Sequence, residues 1–258
     1  MDKNLIIEND DGLKFYLSKE LNNLSFIKHF FSTRTQGISK GYYNSFNLGI
    51  YTDDDKENIS FNLRKILLSA EMYNNKVVYL NQVHGDEFHL VNENNYNNIM
   101  GISGDALITK TKGIAIGVFT ADCVPIILAD RYEKIIAVVH AGWKGTQLKI
   151  ITKVLNYMIK EMGAKPENIT CAIGPSIGQC CFEVKKDVAD MFNYKIQNKG
   201  KFYVDLWEEN VKQIIDMKIP QDNIECLKLC TMCKSELFFS YRRDNGNTGR
   251  QGTFIQII

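Results

Sequence analysis

The sequence predicts a single α/β or α+β domain, and three observations predict it. At 258 residues the chain suits one substantial domain. Short apolar runs of strand length alternate with longer segments whose apolar positions keep helical spacing. No Pro/Ser-rich linker and no internal repeat divides the chain, so residues 1–258 read as one unit. The apolar share of 45% and charged share of 24% are those of an ordinary globular protein. Lys plus Arg, at 31, nearly cancels Asp plus Glu, at 30, which gives no global field toward nucleic acid or a membrane. No basic-then-apolar leader opens the sequence and no apolar run would span a bilayer, so a cytoplasmic location is expected. Seven cysteines, an odd number, fit reduced thiols better than a disulfide framework.

Taken in order, residues 2–23 read as an opening hairpin with Asp10-Asp11-Gly12 as its turn. His29-Phe-Phe-Ser-Thr-Arg34 leads into a long loop rich in Gly, Ser and Asn that runs through Asn44 and Asn47 to Gly49. Ordered loops of that length in compact domains tend to be functional. Across residues 55–72, Ile59, Leu63, Ile66, Leu67 and Ala70 give an amphipathic helix. Residues 77–80 and 87–91 are β elements flanking a turn at His84, and the Asn-rich run 92–98 reads as a solvated loop. Residues 104–109, 114–119, 125–129 and 135–139 supply four short strands. Thr146 caps a helix carrying Leu148, Ile151, Leu155 and Met158 to Gly163. Residues 169–173 form another strand, 184–192 a helix, and Asp205 with Glu208 a capping-box variant that opens a helix through Ile215. The tail ends in an apolar strand.

Two runs carry the densest chemistry: Thr120-Ala-Asp-Cys-Val-Pro125 and Val139-His-Ala-Gly-Trp-Lys-Gly145. Each follows an apolar strand, and a third run, Asn81-Gln-Val-His-Gly85, does the same. Side chains at strand ends are steadied by the sheet, so His84, Cys123 and His140 are expected to converge. Two imidazoles and a thiolate with an open fourth position make a catalytic zinc site. The same atoms without metal, Cys123 as thiolate and His140 as its base, make a cysteine hydrolase or acyltransferase. The residues leave both open, and the third candidate ligand, His84, favours metal. Asp122 is either a general acid/base or a turn cap. Arg34, Lys144, Arg242, Arg243 and Arg250 lie near loop ends and could meet a small anion, with Asn47 adding an amide. Cys230-Thr-Met-Cys233 lacks a second CxxC to complete a four-thiol zinc site, with Cys180, Cys181 and Cys226 as possible contributors; it reads as reduced packing thiols. His89, inside a strand, reads as non-functional.

The ordered set of motifs resembles the YfiH family, also called the laccase-domain or multicopper polyphenol oxidase-like family. The resemblance is carried by Phe31-Ser-Thr-Arg34, Asn47-Leu-Gly49, Gln82-Val-His-Gly85, Gly104-Asp-Ala106, Thr120-Ala-Asp-Cys123, His140-Ala-Gly-Trp143, Ile173-Gly-Pro-Ser-Ile-Gly178, Cys180-Cys181, Phe239-Ser-Tyr-Arg-Arg-Asp244 and Thr248-Gly-Arg-Gln251. It covers residue 28 to the C-terminus. Phe30 and Gln36 replace common glycines, Gln179 replaces a Pro, Asn245 adds a residue to a turn, and Lys144 replaces an Arg. The last change keeps the charge but loses the bidentate fork.

The resemblance implies one layered α/β/α-type domain with mixed sheets and a zinc held by His84, Cys123 and His140. It implies a purine nucleoside phosphorylase acting on adenosine, inosine and methylthioadenosine, with adenosine deaminase activity. On that reading Arg34, Asn47, Lys144 and Arg243 hold phosphate or substrate, and Asp122, Cys123 and Arg34 serve catalysis. The partners expected are a nucleoside and phosphate, not nucleic acid or a membrane. Copper-dependent phenol oxidation is the alternative, although four histidines are too few for several copper centres. Hydrolytic editing of a peptidoglycan precursor is the other.

Overall fold

Runs that stay apolar throughout become strands buried on both faces, and alternating runs become strands with one wet face. The structure, a computed structural model, describes residues 4–72 and 76–258. Residues 2–3 of the expected hairpin lie outside those described. Among the described residues the strands are β1 (Leu5–Glu8), β2 (Lys14–Leu17), β3 (Ile27–Ser32), β4 (Lys76–Tyr79), β5 (Phe88–Val91), β6 (Ala106–Thr109), β7 (Ile114–Thr120) and β8 (Val124–Asp130). They continue with β9 (Ile135–Ala141), β10 (Ile169–Ile173), β11 (Glu183–Val184), β12 (Lys195–Asn198), β13 (Lys201–Val204), β14 (Ile224–Cys226) and β15 (Gln251–Ile257). One six-stranded sheet has the order β1-β2-β3-β15-β7-β4 and the other β14-β10-β8-β9-β6-β5, with a small sheet β11-β13-β12 beside them. The pairs β4–β7, β5–β6 and β10–β14 are parallel and the others antiparallel, so the sheets are mixed as expected.

The two large sheets pack face to face over Val78, Ile116 and Val118 from the first and Leu107, Ile127, Ile136 and Val138 from the second. Helix Lys56–Ser69 covers the outer face of the first sheet, setting Ile66 and Leu67, with Ala70 just past its end, against Phe15, Phe30 and Phe254. Helices Ile150–Lys160 and Leu206–Asp216 cover the outer face of the second, with Leu155, Met158 and Ile214 against Ile126, Leu128 and Val139. The sheet layer between the helices is thus two sheets deep. Each fully buried aliphatic side chain contributes about 1.5–3 kcal/mol, which makes this layered core the main source of stability.

Local chemistry departs from the sequence reading in four places. The helix expected from Thr146 begins at Trp143 behind Gly142, and a left-handed Lys149 (φ 61°) breaks it into Trp143–Gln147 and Ile150–Lys160. The Asn-rich run is a side-chain-braced turn leading into helix Tyr96–Ile99: Asn95 Oδ1 accepts from Asn92 N–H and its Nδ2 donates to the Leu90 carbonyl. Residues 184–192 divide between β11 and the short helix Lys186–Ala189. The β12–β13 hairpin was not expected; Lys199 and Gly200, both at positive φ, form its turn. The Asp205 cap is present, its Oδ1 accepting from Trp207 and Glu208 N–H.

Candidate metal centre

β7 belongs to one large sheet and β8 to the other, so Ala121, Asp122 and Cys123 carry the chain across between them. Asp122 holds φ at 89°, a conformation that a non-glycine residue keeps only when its surroundings enforce it. They do: Thr231 and Ser240 hydroxyls donate to its carboxylate at 2.6 and 3.0 Å, and Arg242 N–H donates at 2.7 Å. The Asp122 carbonyl accepts from Ile177 N–H at 2.9 Å. The turn is thereby fixed, and Cys123 with it.

The two histidines share one organiser. Asp105 precedes β6 and is fully buried. Its Oδ1 accepts from His84 N–H at 3.0 Å and lies 2.7 Å from His140 Nδ1, while Oδ2 accepts from Gly85 N–H at 2.7 Å. The Asp105 carbonyl accepts from His140 N–H at 2.8 Å. His84, in the left-handed region at φ 59°, and His140, at the end of β9, then meet edge to face with ring centroids 4.9 Å apart. The ligating atoms of His84, Cys123 and His140 all lie within 4.8 Å of one another. Gly142 is required at this point, because a Cβ there would stand 3.0 Å from Cys123 Sγ and 3.2 Å from the His84 ring.

Burial opposes ionisation of the Cys123 thiol, but the charge and hydrogen bond of His140 and the hydrogen bond of His84 bring it down to about 6. Burial likewise opposes a charged His140, yet Cys123 and Asp105 raise it to about 9. Burial also works against the Asp105 carboxylate, and His140 with the Gly85 and His84 N–H groups holds it below its ordinary value. An ionised Asp105 accepts a hydrogen bond from His140 Nδ1–H, which leaves Nε2 to face Cys123.

His84, Cys123 and His140 line a cavity of about 510 Å³, within the range that binds small molecules. Tyr51, Phe119, Trp143 and Tyr241 supply aromatic wall, and Arg242 and Arg250 supply positive charge. The Arg250 guanidinium sits 5.7 Å from the Tyr241 ring, and among the described residues its side-chain bonds are all from Nη1, to the Thr248 and Gly249 carbonyls. Gln82 fixes Phe119 by bonding both its N–H and its carbonyl, at 2.8 and 2.7 Å. The Thr120 hydroxyl is buried with no partner among the described residues.

The other residues singled out from the sequence stand elsewhere. Arg34 donates to the Asn44 and Ser235 carbonyls and stacks 4.4 Å from the Phe239 ring centroid. Arg243 is engaged by Asp244 and by the Thr231 and Phe238 carbonyls. Asn47 is fully buried, donating to Thr52 and Asp54 and accepting from Gly49 and Arg250 N–H. Lys144 is exposed, and none of these four lines the cavity. Asp122 does line it, with its carboxylate occupied as described. His89 is tied to the Ser103 carbonyl at 2.8 Å. Sequence reasoning assigned no role to Asp105, Thr120, Gln82 or Tyr51. The only signal for Asp105 was its place in the Gly104-Asp-Ala106 motif, since its partners are 20 or more residues away.

Residues 28–258 match the family described as multi-copper polyphenol oxidoreductase laccase. A purine nucleoside phosphorylase of Bacteroides thetaiotaomicron is 32% identical over 250 residues, covering 90% of this chain and 92% of that one. One from Clostridium acetobutylicum is 37% identical over 221 residues, covering 82% and 87%. The crystal structure of Bacillus licheniformis hypothetical protein YfiH superposes with a TM-score of 0.90 at 28% identity, covering 98% and 99%. No helix among the described residues is long and apolar enough to cross a membrane.

Proposed function

This chain belongs to the multi-copper polyphenol oxidoreductase laccase family, and from that premise we propose that it is a metal-dependent purine nucleoside phosphorylase. The observation that carries the reading is the union, in one cavity, of a two-imidazole, one-thiolate cluster with aromatic walls and a half-buried arginine, Arg250. The donor set fits zinc: one soft thiolate, two neutral-capable imidazoles, and Asp105 fixing the His140 tautomer. Zinc held by His84, Cys123 and His140 would supply Lewis-acid polarisation of a substrate oxygen or a more acidic water.

The chain's own groups do the rest. Phe119 and Tyr241 offer faces for a purine. Arg250 presents its uncommitted Nε and Nη2 edge to phosphate, which is positioned to attack the ribose C1′ as the purine leaves. Arg250 thus takes the anion-binding part that the sequence assigned to Arg34 and Arg243, whose donors are spent on backbone carbonyls and, for Arg243, on Asp244. The substrates are adenosine, inosine and methylthioadenosine, with deamination of adenosine as a second reaction of the same cavity. Of the four histidines only His84 and His140 reach the cluster, since His29 accepts from Ser18 N–H and His89 bonds Ser103; this donor set fits one metal ion rather than several coppers.

The thiol of Cys123 brought down to about 6 beside His140 raised to about 9 also favours a second reading, a cysteine hydrolase acting on a cell-wall precursor. Chelation separates the two, abolishing phosphorolysis and sparing a metal-free thiolate. For the leading reading, Arg250→Ala is expected to raise the KM for phosphate about 10- to 100-fold, the loss of a charge-assisted hydrogen bond. An unchanged phosphate KM in steady-state assays contradicts the assignment.

A further inference from the structure

A second cluster of ligating side chains lies apart from the cavity, and the proposed activity makes no use of it. Cys180 and Cys181 lie beyond the Gly174–Gly178 turn, and Cys230 and Cys233 lie between β14 and the C-terminal strand. Their four Sγ atoms all stand within 4.8 Å of one another. Cys233 Sγ is 3.6 Å from that of Cys180 and 3.4 Å from that of Cys181. A tetrahedral zinc with Zn–S bonds of about 2.3 Å spaces its sulfurs roughly 3.8 Å apart, in the middle of the observed range. We propose that Cys180, Cys181, Cys230 and Cys233 form a structural tetrathiolate zinc site.

Three further observations support this. Gly178 N–H points at Cys230 Sγ from 3.3 Å, the kind of backbone donation that stabilises a thiolate in a CxxC turn. Cys171 and Cys226, the other two cysteines outside the catalytic cluster, take no part, so the grouping is selective. The two segments are already registered by a bridge between Ser176 and Cys230, with Ser176 N–H donating to Leu229 and Thr231 N–H to Ser176. An ion there would lock the registration. The thiols give up their protons to solvent as four Zn–S bonds form, leaving a site of net charge −2. On the first of these segments the Glu183 carbonyl accepts from the Arg242 guanidinium at 2.6 Å, a second tie to the segment that carries Cys230 and Cys233.

The site has a clear task. Thr231, Ser240 and Arg242, which hold Asp122, and Ile177 and Phe182, which line the cavity, all lie on the two segments it joins. Zinc at the four cysteines therefore acts as a staple behind one wall of the active cavity, and its presence is independent of what that cavity turns over.

Zinc content of the full untagged chain, purified under reducing conditions, tests this. The comparison is with a His84→Ala, Cys123→Ala variant and a Cys180→Ser, Cys233→Ser variant. The expected result is about two zinc per wild-type chain and about one in each variant. Cobalt substitution of the His84→Ala, Cys123→Ala protein should give the strong near-ultraviolet sulfur-to-cobalt band and intense visible bands of a tetrahedral multi-thiolate site. That spectrum stands even where the Cys180→Ser, Cys233→Ser protein does not fold. No zinc and no such spectrum in the His84→Ala, Cys123→Ala protein overturns the proposal. So does iron as the second metal, or an intact mass showing disulfides among the four cysteines.

Discussion

Asp105 is the residue on which the centre turns, because one carboxylate fixes the backbone of His84 and the ring of His140 together. Removing a buried carboxylate behind a ligating histidine costs about 10- to 100-fold in metal affinity. Asp105→Asn is therefore expected to weaken metal binding by that factor in a competition titration with a chromophoric chelator, and unchanged affinity would show that His140 needs no such support. The Cys123–His140 pair makes a second residue-scale prediction. In the metal-free protein the Cys123 thiolate forms above about pH 6, held there by His140, which itself stays protonated to about 9. Carboxamidomethylation of Cys123, followed by peptide mass mapping, should be full at neutral pH and fall as pH drops through about 6. A midpoint near the ordinary thiol value of about 8.5 would contradict the pairing. At this scale the sequence was informative where chemistry is rare: a Cys and two His after three apolar runs stood out. It was uninformative for arginine, because Arg34, Arg243 and Arg250 look alike until their hydrogen bonds are seen.

Among elements, the short link between β7 and β8 decides most, since it changes sheets and carries Cys123. Its left-handed Asp122 is held by donors from residues more than a hundred positions away. Thr231→Val removes one of those donors while keeping the volume. It should destabilise the fold by about 1–3 kcal/mol, read as a lowered midpoint in urea with m unchanged. Full stability in that variant would mean that the turn keeps its geometry unaided. The strands on either side were legible because seven-residue apolar runs such as 114–120 and 135–141 bury both faces. The β12–β13 hairpin was not, since Lys195–Asn198 is exposed throughout and carries no apolar pattern to read. The break at Lys149 was equally hidden, because Leu148 and Ile151 keep helical spacing across it.

For the whole molecule, two sheets packed face to face bring stretches from distant parts of the sequence to one edge, and that convergence makes the cavity. The mixed α/β class followed from the alternation of strand-like and helix-like runs. That β15, the last strand, lies between β3 and β7 in the middle of a sheet did not, because pairing order over more than a hundred residues leaves no local mark. The central claim is that this cavity uses the His84–Cys123–His140 centre and Arg250 to cleave purine nucleosides with phosphate. Chromatography of adenosine incubated with the zinc-loaded protein, with and without phosphate and alongside Cys123→Ala, tests it most directly. The account predicts adenine that appears only with phosphate and falls to background in Cys123→Ala; adenine release independent of phosphate, or undiminished in that variant, would contradict it.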